Sequence, residues 1–337
     1  MSDKSRQRAW LEARKTLITA TDLPSILRLP GAYSSPMGVY LDKTAPVTGD
    51  DDVPDYVKWG ARIQPAIIAG YAEQTGHDVD MADPYFVTTA KPYPLLGASL
   101  DARWKNDDQR PVEAKNVGFK NQMEWGEGGS SDVPQRFYVQ VMAQMMVTGT
   151  RVAELAALFG GRKMDVFRIE YDPEVAAGLY EAARRFWNDH VYNDVPPPVD
   201  GSDEWSRYLA NRKQATEKIL TADAGLSVYA GRLARIRRIQ AKLDAQEAEA
   251  VNKIKEAIGE NSGIAGTDWR GDPWQATYKQ AKDTARFDWE GMTRRLWAIY
   301  GTPANDQGTM MSSFQLTKPG SRRFLFKMLD KKKTPTT

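Results

Sequence analysis

The chain has no cysteine and only two histidines, His77 and His190, in 337 residues. That removes disulfides, thiolate metal sites and cysteine nucleophiles, and leaves too little imidazole for a histidine-rich metal centre. Neither sign of charge is in excess: 46 Lys and Arg stand against 44 Asp and Glu, a net +2. A nucleic-acid surface must then be a local patch rather than a property of the whole chain. No apolar run approaches the ~20 residues that span a bilayer, and Met1-Ser-Asp-Lys-Ser-Arg-Gln-Arg8 leads into no signal-peptide core. The chain therefore reads as a soluble, cytoplasmic protein with no membrane partner, and its length suits about two domains.

Local punctuation predicts the order of elements. Residues 5–16 form a helix, and Ile18-Thr-Ala-Thr-Asp-Leu-Pro24 carries the residues that cap another. Ser35-Pro36 repeats that logic, with the hydroxyl as cap and proline at the first helical position. After an Asp-, Gly- and Pro-rich loop at 45–54, the spacing of Val57, Ile63, Ile67, Ile68 and Tyr71 predicts a helix over 54–75. Tyr85 to Val117 is rich in strands. Val133 to Gly149 is helical, with Phe137, Val141, Met145 and Met146 on one side. Val152–Phe159 and Met164–Tyr171 alternate as a hairpin around Gly160-Gly161, and Asp172-Pro173 caps a helix running to about His190. Helices flanking one mixed sheet give an α/β (α+β) core over 1–200.

Pro196-Pro-Pro198 cannot continue a helix and marks the boundary to a mainly helical extension over 201–337. There Leu226, Tyr229, Leu233, Ile236, Ile239, Leu243, Ile254 and Ile258 fall near helical spacing over 225–259, a helix of about 50 Å. The stripe reads as packing or oligomerisation surface. Arg232, Arg235, Arg237, Arg238 and Lys242 on its other face are either a solvated face or an arm that contacts phosphates. Trp269, Trp274, Tyr278, Phe287, Trp289 and Trp297, interspersed with Lys and Arg, either fill a small core or stack bases. Lys331-Lys-Lys333 reads as a frayed basic tail.

The chemistry concentrates at Gly97-Ala-Ser-Leu-Asp101 and Val112-Glu-Ala-Lys115. The turn-prone Lys105-Asn-Asp-Asp-Gln109 between them predicts a hairpin of two strands, Pro94–Asp101 and the strand carrying Glu113. Alternation puts Glu113 and Lys115 on one face and Ala114 on the other, with Asp101 opposite Glu113. Two carboxylates and the Ala114 carbonyl form a hard-oxygen site suited to Mg²⁺ or Mn²⁺. A bound ion there would activate water for phosphodiester cleavage, with Lys115 to orient or help deprotonate it. The same pattern also occurs on ordinary solvated hairpins, so the motif alone leaves both readings open.

Several separated blocks, in order, are more specific. They are Trp10-x3-Arg14-x3-Ile18-Thr-Ala-Thr-Asp22, Ser35-Pro36 with Val39-Tyr40, Trp59-Gly60-x4-Pro65, the two carboxylate blocks, Pro134-x3-Tyr138-x-Gln140-Val-x-Ala-Gln-Met-Met-Val-Thr-Gly149, and Phe186-Trp187 to Pro197-Pro198. Over residues 8–200 the chain resembles the YqaJ-like viral recombinases, relatives of phage lambda exonuclease in the PD-(D/E)XK nuclease superfamily. The resemblance implies a PD-(D/E)XK core with metal at Asp101, Glu113 and the Ala114 carbonyl, Lys115 as catalytic lysine, and Gln140 holding the water and the lysine. Tyr138 occupies the neighbouring motif position, where packing would explain it equally well. Arg14, Thr21 and Ser99 match positions that grip a terminal 5′ phosphate; without the resemblance, Arg14 is an ordinary helix residue and Thr21 an ordinary cap. The family usually carries a glutamate where this chain has Gln64, which removes one negative charge from the metal set.

The resemblance thus implies a Mg²⁺-dependent exonuclease acting on linear double-stranded DNA ends, 5′ to 3′, leaving 3′ single strands for recombination. It also implies a ring-like homo-oligomer and a single-strand annealing partner protein. Three other readings stay open: an endonuclease or nickase using the same site, a DNA-binding scaffold whose site decayed at Gln64, and a metal-dependent hydrolase of another substrate. No residue is carried over to the C-terminal third.

Overall fold

The computed structural model describes residues 3–47, 55–106, 109–212, 219–282, 284–298, 315–318 and 322–328. The basic tail at 331–333, most of the 45–54 loop and the side chain of Trp297 lie outside them. The chain forms two compact units, Met1–Ala215 and Thr216–Thr337.

The first unit begins with α1 (Asp3–Lys15), β1 (Ile18–Thr19), α2 (Leu23–Ile26), α3 (Pro36–Thr44) and α4 (Asp55–Thr75). Short strands follow: β2 (Val79–Met81), β3 (Thr88–Ala90), β4 (Tyr93–Ala98), β5 (Ala102–Trp104) and β6 (Pro111–Val117). Then come α5 (Gln135–Thr148), β7 (Val152–Phe159), β8 (Lys163–Glu170), α6 (Pro173–Phe186) and α7 (Asp203–Ala210). Two of the expected caps form: Ser35 accepts from the Gly38 amide at 3.1 Å to open α3, and Asp172 accepts from the Glu174 and Val175 amides to open α6. At α2 the expected cap does not, since Asp22 makes no side-chain cap bond and turns back to the Thr19 amide and hydroxyl. Gly149 ends α5 at φ 74°, a left-handed conformation that glycine adopts without a Cβ clash. The helix expected to reach His190 leaves α geometry at Phe186 and continues as a π-helical turn over Trp187–Tyr192.

The main sheet has the order β2-β5-β6-β7-β8, with β6 and β7 parallel and the other neighbours antiparallel. A parallel pair needs a crossover, and α5 supplies it. A second sheet, β1-β4-β3, pairs β1 parallel to β4 through Ile18↔Leu96 and Thr19↔Gly97. Helix α4 packs on β6 and β7, while α5 packs between the β3–β4 strands and the main sheet. The hairpin expected from Pro94 to Lys115 is therefore broken in two. Tyr93–Ala98 belongs to one sheet, the chain bends at Ser99–Asp101, and only Ala102–Trp104 pairs with β6. The bend lets one continuous segment serve two sheets, which alternation along a single strand cannot reveal. Gly97, near the end of β4, lies between Thr19 of β1 and Thr89 of β3, and a Cβ there would lie 2.7 Å from Val87 Cγ1 and 2.9 Å from Leu17 Cδ1.

The proline triplet does not divide the two units. Helix α7, beyond it, packs on α3, buries Trp205 and sets Glu204 against the hydroxyls of Ser34 and Ser35. In the second unit α8 (Ala224–Ile258) opens on an Asp223 cap and is the expected long helix. It is followed by β9 (Gly263–Thr267), β10 (Pro273–Gln280), β11 (Thr284–Phe287), α9 (Trp289–Ala298), β12 (Gln315–Lys318) and β13 (Arg322–Met328). These strands pair as β13-β10-β9 and β11-β12. Trp274 and Tyr278 are half-buried on β10, whereas Trp269 and Trp289 are exposed. The aromatics thus divide between a small core and a surface.

On the α4 side of the main sheet, Ile67, Ile68, Tyr71, Trp104, Val112 and Ala156 form a compact cluster containing one buried ion pair. Glu154 accepts from Tyr71 Oη at 2.5 Å and from Arg110 at 3.0 Å, and Trp104 Nε1 donates to Tyr71 Oη at 2.7 Å. The Arg110 guanidinium also stacks 3.8 Å from the Trp104 ring. Removing one partner leaves an uncompensated charge in a nearly dry site. Glu154→Leu should cost about 3–5 kcal/mol in urea unfolding, and adding Arg110→Leu should recover part of that loss.

Candidate active site

Strand β6 alternates as its sequence predicts. Val112 and Ala114 belong to the α4 cluster, while Glu113 and Lys115 reach the α5 side. Glu113, 3% exposed, is gripped there from three directions. Its Oε1 accepts from Lys115 Nζ at 2.6 Å and from Gln140 Nε2 at 2.6 Å, and its Oε2 accepts from Gln144 Nε2 at 2.6 Å. Gln140 and Gln144 stand four residues apart on α5 and so share one face. The Gln140 carbonyl accepts a second bond from Lys115, at 3.1 Å. Asp101 arrives from the bend before β5, one position beyond the Ala102↔Val112 pair and hence opposite Glu113. Its Oδ2 accepts from the Ala114 amide at 2.8 Å.

Electrostatics follow from this crowding. Burial, and then the Glu113 charge, push the Asp101 carboxyl up to about 7, against the opposing pull of Lys115 and the Ala114 amide. Burial pulls the Lys115 ammonium the other way, but Glu113, Tyr33 and Asp101 outweigh it and raise its pKa, so the lysine is charged at neutral pH. A divalent cation fits this donor set. Glu113 Oε2 and Asp101 Oδ2 each accept one bond and keep acceptor capacity. The buried Gln144 Oε1 has no hydrogen-bond partner among the described residues. A cation would also relieve the repulsion between the two carboxylates. No cluster of three His, Cys, Asp or Glu suited to a metal occurs among the described residues, so such an ion would need backbone or amide oxygens besides Asp101 and Glu113.

A second polar cluster lies where β1 meets β4. Arg14 from α1 approaches Thr21 Oγ1 at 3.4 Å and Thr19 Oγ1 at 3.5 Å, and its guanidinium lies 4.7 Å from the Trp10 ring centre. Trp10 Nε1 donates to Ser99 Oγ at 2.9 Å, which leaves the Ser99 hydroxyl proton free to donate elsewhere. Arg14, Thr21 and Ser99 are thus brought to one place, Ser99 two residues from Asp101. Beneath them Lys43, with a fully buried side chain, pairs with Asp22 at 2.7 Å and donates to the Arg14 carbonyl at 3.0 Å. Asp22 also accepts from the Thr19 amide and hydroxyl, both at 2.7 Å.

The remaining expectations land differently. Tyr138 does not join either cluster: it lines a separate cavity with Gly129, Arg168, Tyr171 and Asp172. At 100° per residue it stands some 200° around α5 from Gln140, and it packs against the core, as its alternative reading had it. Gln64 is half-buried on α4, one turn before Ile67 and Ile68 and so on the sheet-facing side. Sequence reasoning missed Gln144, Thr19, Asp22 and Lys43 as members of these clusters. The i, i+4 spacing from Gln140 could have found Gln144, and the Ile-Thr-Ala-Thr alternation could have found Thr19. Nothing local points to Lys43.

The Asp22–Lys43 pair yields a stability test. Burial pushes the Asp22 carboxyl up, but Lys43, Arg14 and the Thr19 hydroxyl outweigh it and hold the carboxyl below its usual value. A depressed folded pKa contributes stability that is present above the unfolded value and lost as pH falls through the folded one. Lys43→Met should cost about 3–5 kcal/mol at pH 7 by leaving a buried carboxylate unpaired. Asp22→Asn should flatten the fall in unfolding free energy below about pH 4, measured by urea titration between pH 2 and 7.

The chain is similar to several known proteins. Uncharacterized protein YqaJ of Bacillus subtilis (strain 168) is 27% identical over 258 residues, covering 75% of this chain and 78% of that protein. That span is longer than the Met1–Ala215 unit, so the similarity reaches into the second. Among solved structures, an alkaline exonuclease (LHK-Exo) from Laribacter hongkongensis superposes with a TM-score of 0.43 at 17% identity, covering 60% of this chain and 97% of its own. A phage related exonuclease from Haemophilus somnus 129PT gives 0.40 at 9% identity, over 53% of this chain and 96% of its own. Residues 9–151, which hold both polar clusters, match the family model described as YqaJ-like viral recombinase domain.

Proposed function

We propose that the chain is a metal-dependent deoxyribonuclease that degrades linear double-stranded DNA from its ends. The observation that carries this reading is the convergence of Asp101, Glu113, Lys115 and Gln140 on one face of β6, with an arginine and hydroxyl cluster at the other end of the Ser99–Asp101 bend. Asp101, Glu113 and the Ala114 carbonyl would hold the ion, Mg²⁺ or Mn²⁺, with Gln64 contributing an oxygen directly or through water. When bound, the ion supplies a Lewis acid and a water of lowered pKa.

The chain's own groups divide the remaining work. Lys115 is a charged donor held between Glu113 and Gln140, suited to orienting the nucleophile and offsetting charge on a phosphoryl oxygen. Gln140 holds that lysine, and Gln144 holds the second oxygen of Glu113. Arg14, Thr21 and Ser99 offer a guanidinium and hydroxyl donors to a terminal 5′ phosphate, which gives 5′ to 3′ polarity and a 3′ single strand as product. In a recombination pathway that strand would pass to a single-strand annealing protein, and a ring-like homo-oligomer would keep the enzyme on its duplex. Retention of the whole Asp101, Glu113 and Lys115 set favours an active enzyme over a scaffold decayed at Gln64.

Asp101→Ala should abolish Mg²⁺-dependent loss of linear duplex, and Arg14→Ala should slow digestion of 5′-phosphorylated ends more than of unphosphorylated ends. Both are read by gel against a chelator control and a covalently closed circle; cutting of the circle would make the chain an endonuclease, and binding without cleavage a scaffold. A second test uses the raised Asp101 pKa. A carboxyl raised above its unfolded value makes the metal-free protein lose stability as pH climbs from about 4 to about 7, and a cation must displace the proton to bind. Added Mg²⁺ should therefore raise Tm more at pH 8 than at pH 5.5, and Asp101→Asn should remove that difference.

A further inference from the structure

Helix α8 has no visible reason to be stable where it is most exposed. Leu226, Tyr229, Leu233, Ile236, Ile239 and Leu243 are between 45% and 66% exposed, and every residue from 224 to 250 is exposed. Among the described residues, the part of α8 that packs is the end near Val251–Ile258, on β9 and β10 of its own unit. Helices gain most of their stability by burying an apolar face rather than from propensity, and an exposed apolar stripe of this length marks an interface.

The stripe has the spacing of a coiled coil. Leu226, Tyr229, Leu233, Ile236, Gln240, Leu243, Glu247 and Ala250 alternate at three and four residues, the heptad a and d positions. Charge along the same stretch is polarised. Arg232, Arg235, Arg237 and Arg238 lie in its first part with no acidic residue between 224 and 243, whereas Asp244, Glu247 and Glu249 lie in its second with Lys242. A parallel pair of such helices would set four arginines against four. An antiparallel pair sets the basic part of each against the acidic part of the other and also opposes the two helix dipoles.

We propose that α8 pairs with α8 of a second copy of this chain as an antiparallel coiled coil. Crossing near Arg238 brings Leu233 of one copy opposite Leu243 of the other, and Leu226 opposite Ala250, so the whole exposed stretch is covered. Gln240 and Glu247, polar at a positions, fix the register as buried polar groups do in such seams. The pairing surface lies in the second unit and rests on none of the groups assigned to catalysis.

The absence of cysteine makes the test clean, because introduced thiols have no native competitor. In the full chain under mild oxidation, Leu226→Cys alone should give no covalent dimer, Ala250→Cys alone none, and an equimolar mixture of the two a disulfide-linked pair. Self-cross-linking of Leu226→Cys would show parallel pairing and overturn the proposal; absence of any cross-link would overturn it too. Independently, Leu233→Glu with Ile236→Glu should halve the largest mass seen by sedimentation equilibrium while linear-duplex digestion shows the nuclease unit still folded. An unchanged mass, with duplex binding instead lost in Arg235→Glu with Arg238→Glu, would assign the helix to DNA and overturn the pairing.

Discussion

Burying a carboxylate in the middle of a sheet is the constraint on which the rest of the first unit depends. Glu113 sits on β6, an interior strand, and its charge could not be held there without donors on every side. Lys115 reaches it along the same strand, and Gln140 and Gln144 reach it from α5. That requirement ties the crossover helix to the strand it bridges, so the β6-α5-β7 unit is bound together by the site as well as by its apolar core. It also explains why α5, nearly all buried, carries two glutamines on one face.

The same logic recurs around the site. Glu154 with Arg110 secures the edge between β5, β6 and β7, and Asp22 with Lys43 secures the junction of α1, β1 and α3. Such pairs contribute little net stability compared with apolar replacements, but they are sensitive to the loss of one partner. Their value here is placement. One backs the strand that carries Glu113, and the other sets the Arg14 carbonyl and the Thr19 hydroxyl beneath the candidate phosphate cluster. The Ser99–Asp101 bend joins the two polar clusters through a single turn of chain, with Gly97 leaving room for the Leu17 and Val87 side chains.

Much of this is legible where the physics is local. Ser35-Pro36, Asp172-Pro173 and Gly149 mark helix ends because caps act over three or four residues, and all three do so here. The alternation of Glu113, Ala114 and Lys115 follows from strand geometry. The resemblance carried by separated blocks added Arg14, Thr21, Ser99 and Gln140, which no local rule would have brought together. Reading fails where distant packing decides. Pro94–Asp101 looks like one strand but serves two sheets, and Tyr138 shares a motif with Gln140 but not a helix face. Pro196–Pro198 looks like a boundary, yet α7 beyond it still buries Trp205 in the first unit.

The amino-acid order by itself determined the order of most helices and strands, which faces of β6 and α8 are polar or apolar, and that Asp101, Glu113 and Lys115 are the candidates for the chemistry. These follow from fixed periods of 2 and about 3.6 residues and from side-chain groups that act on near neighbours. Only the tertiary structure decided that Glu113 is gripped by Gln144 as well as Gln140, that Lys43 lies buried under Arg14, and that Tyr138 stands apart. Those contacts join residues up to 31 positions apart, across sheets and helices whose relative placement is set by the packing of the whole core.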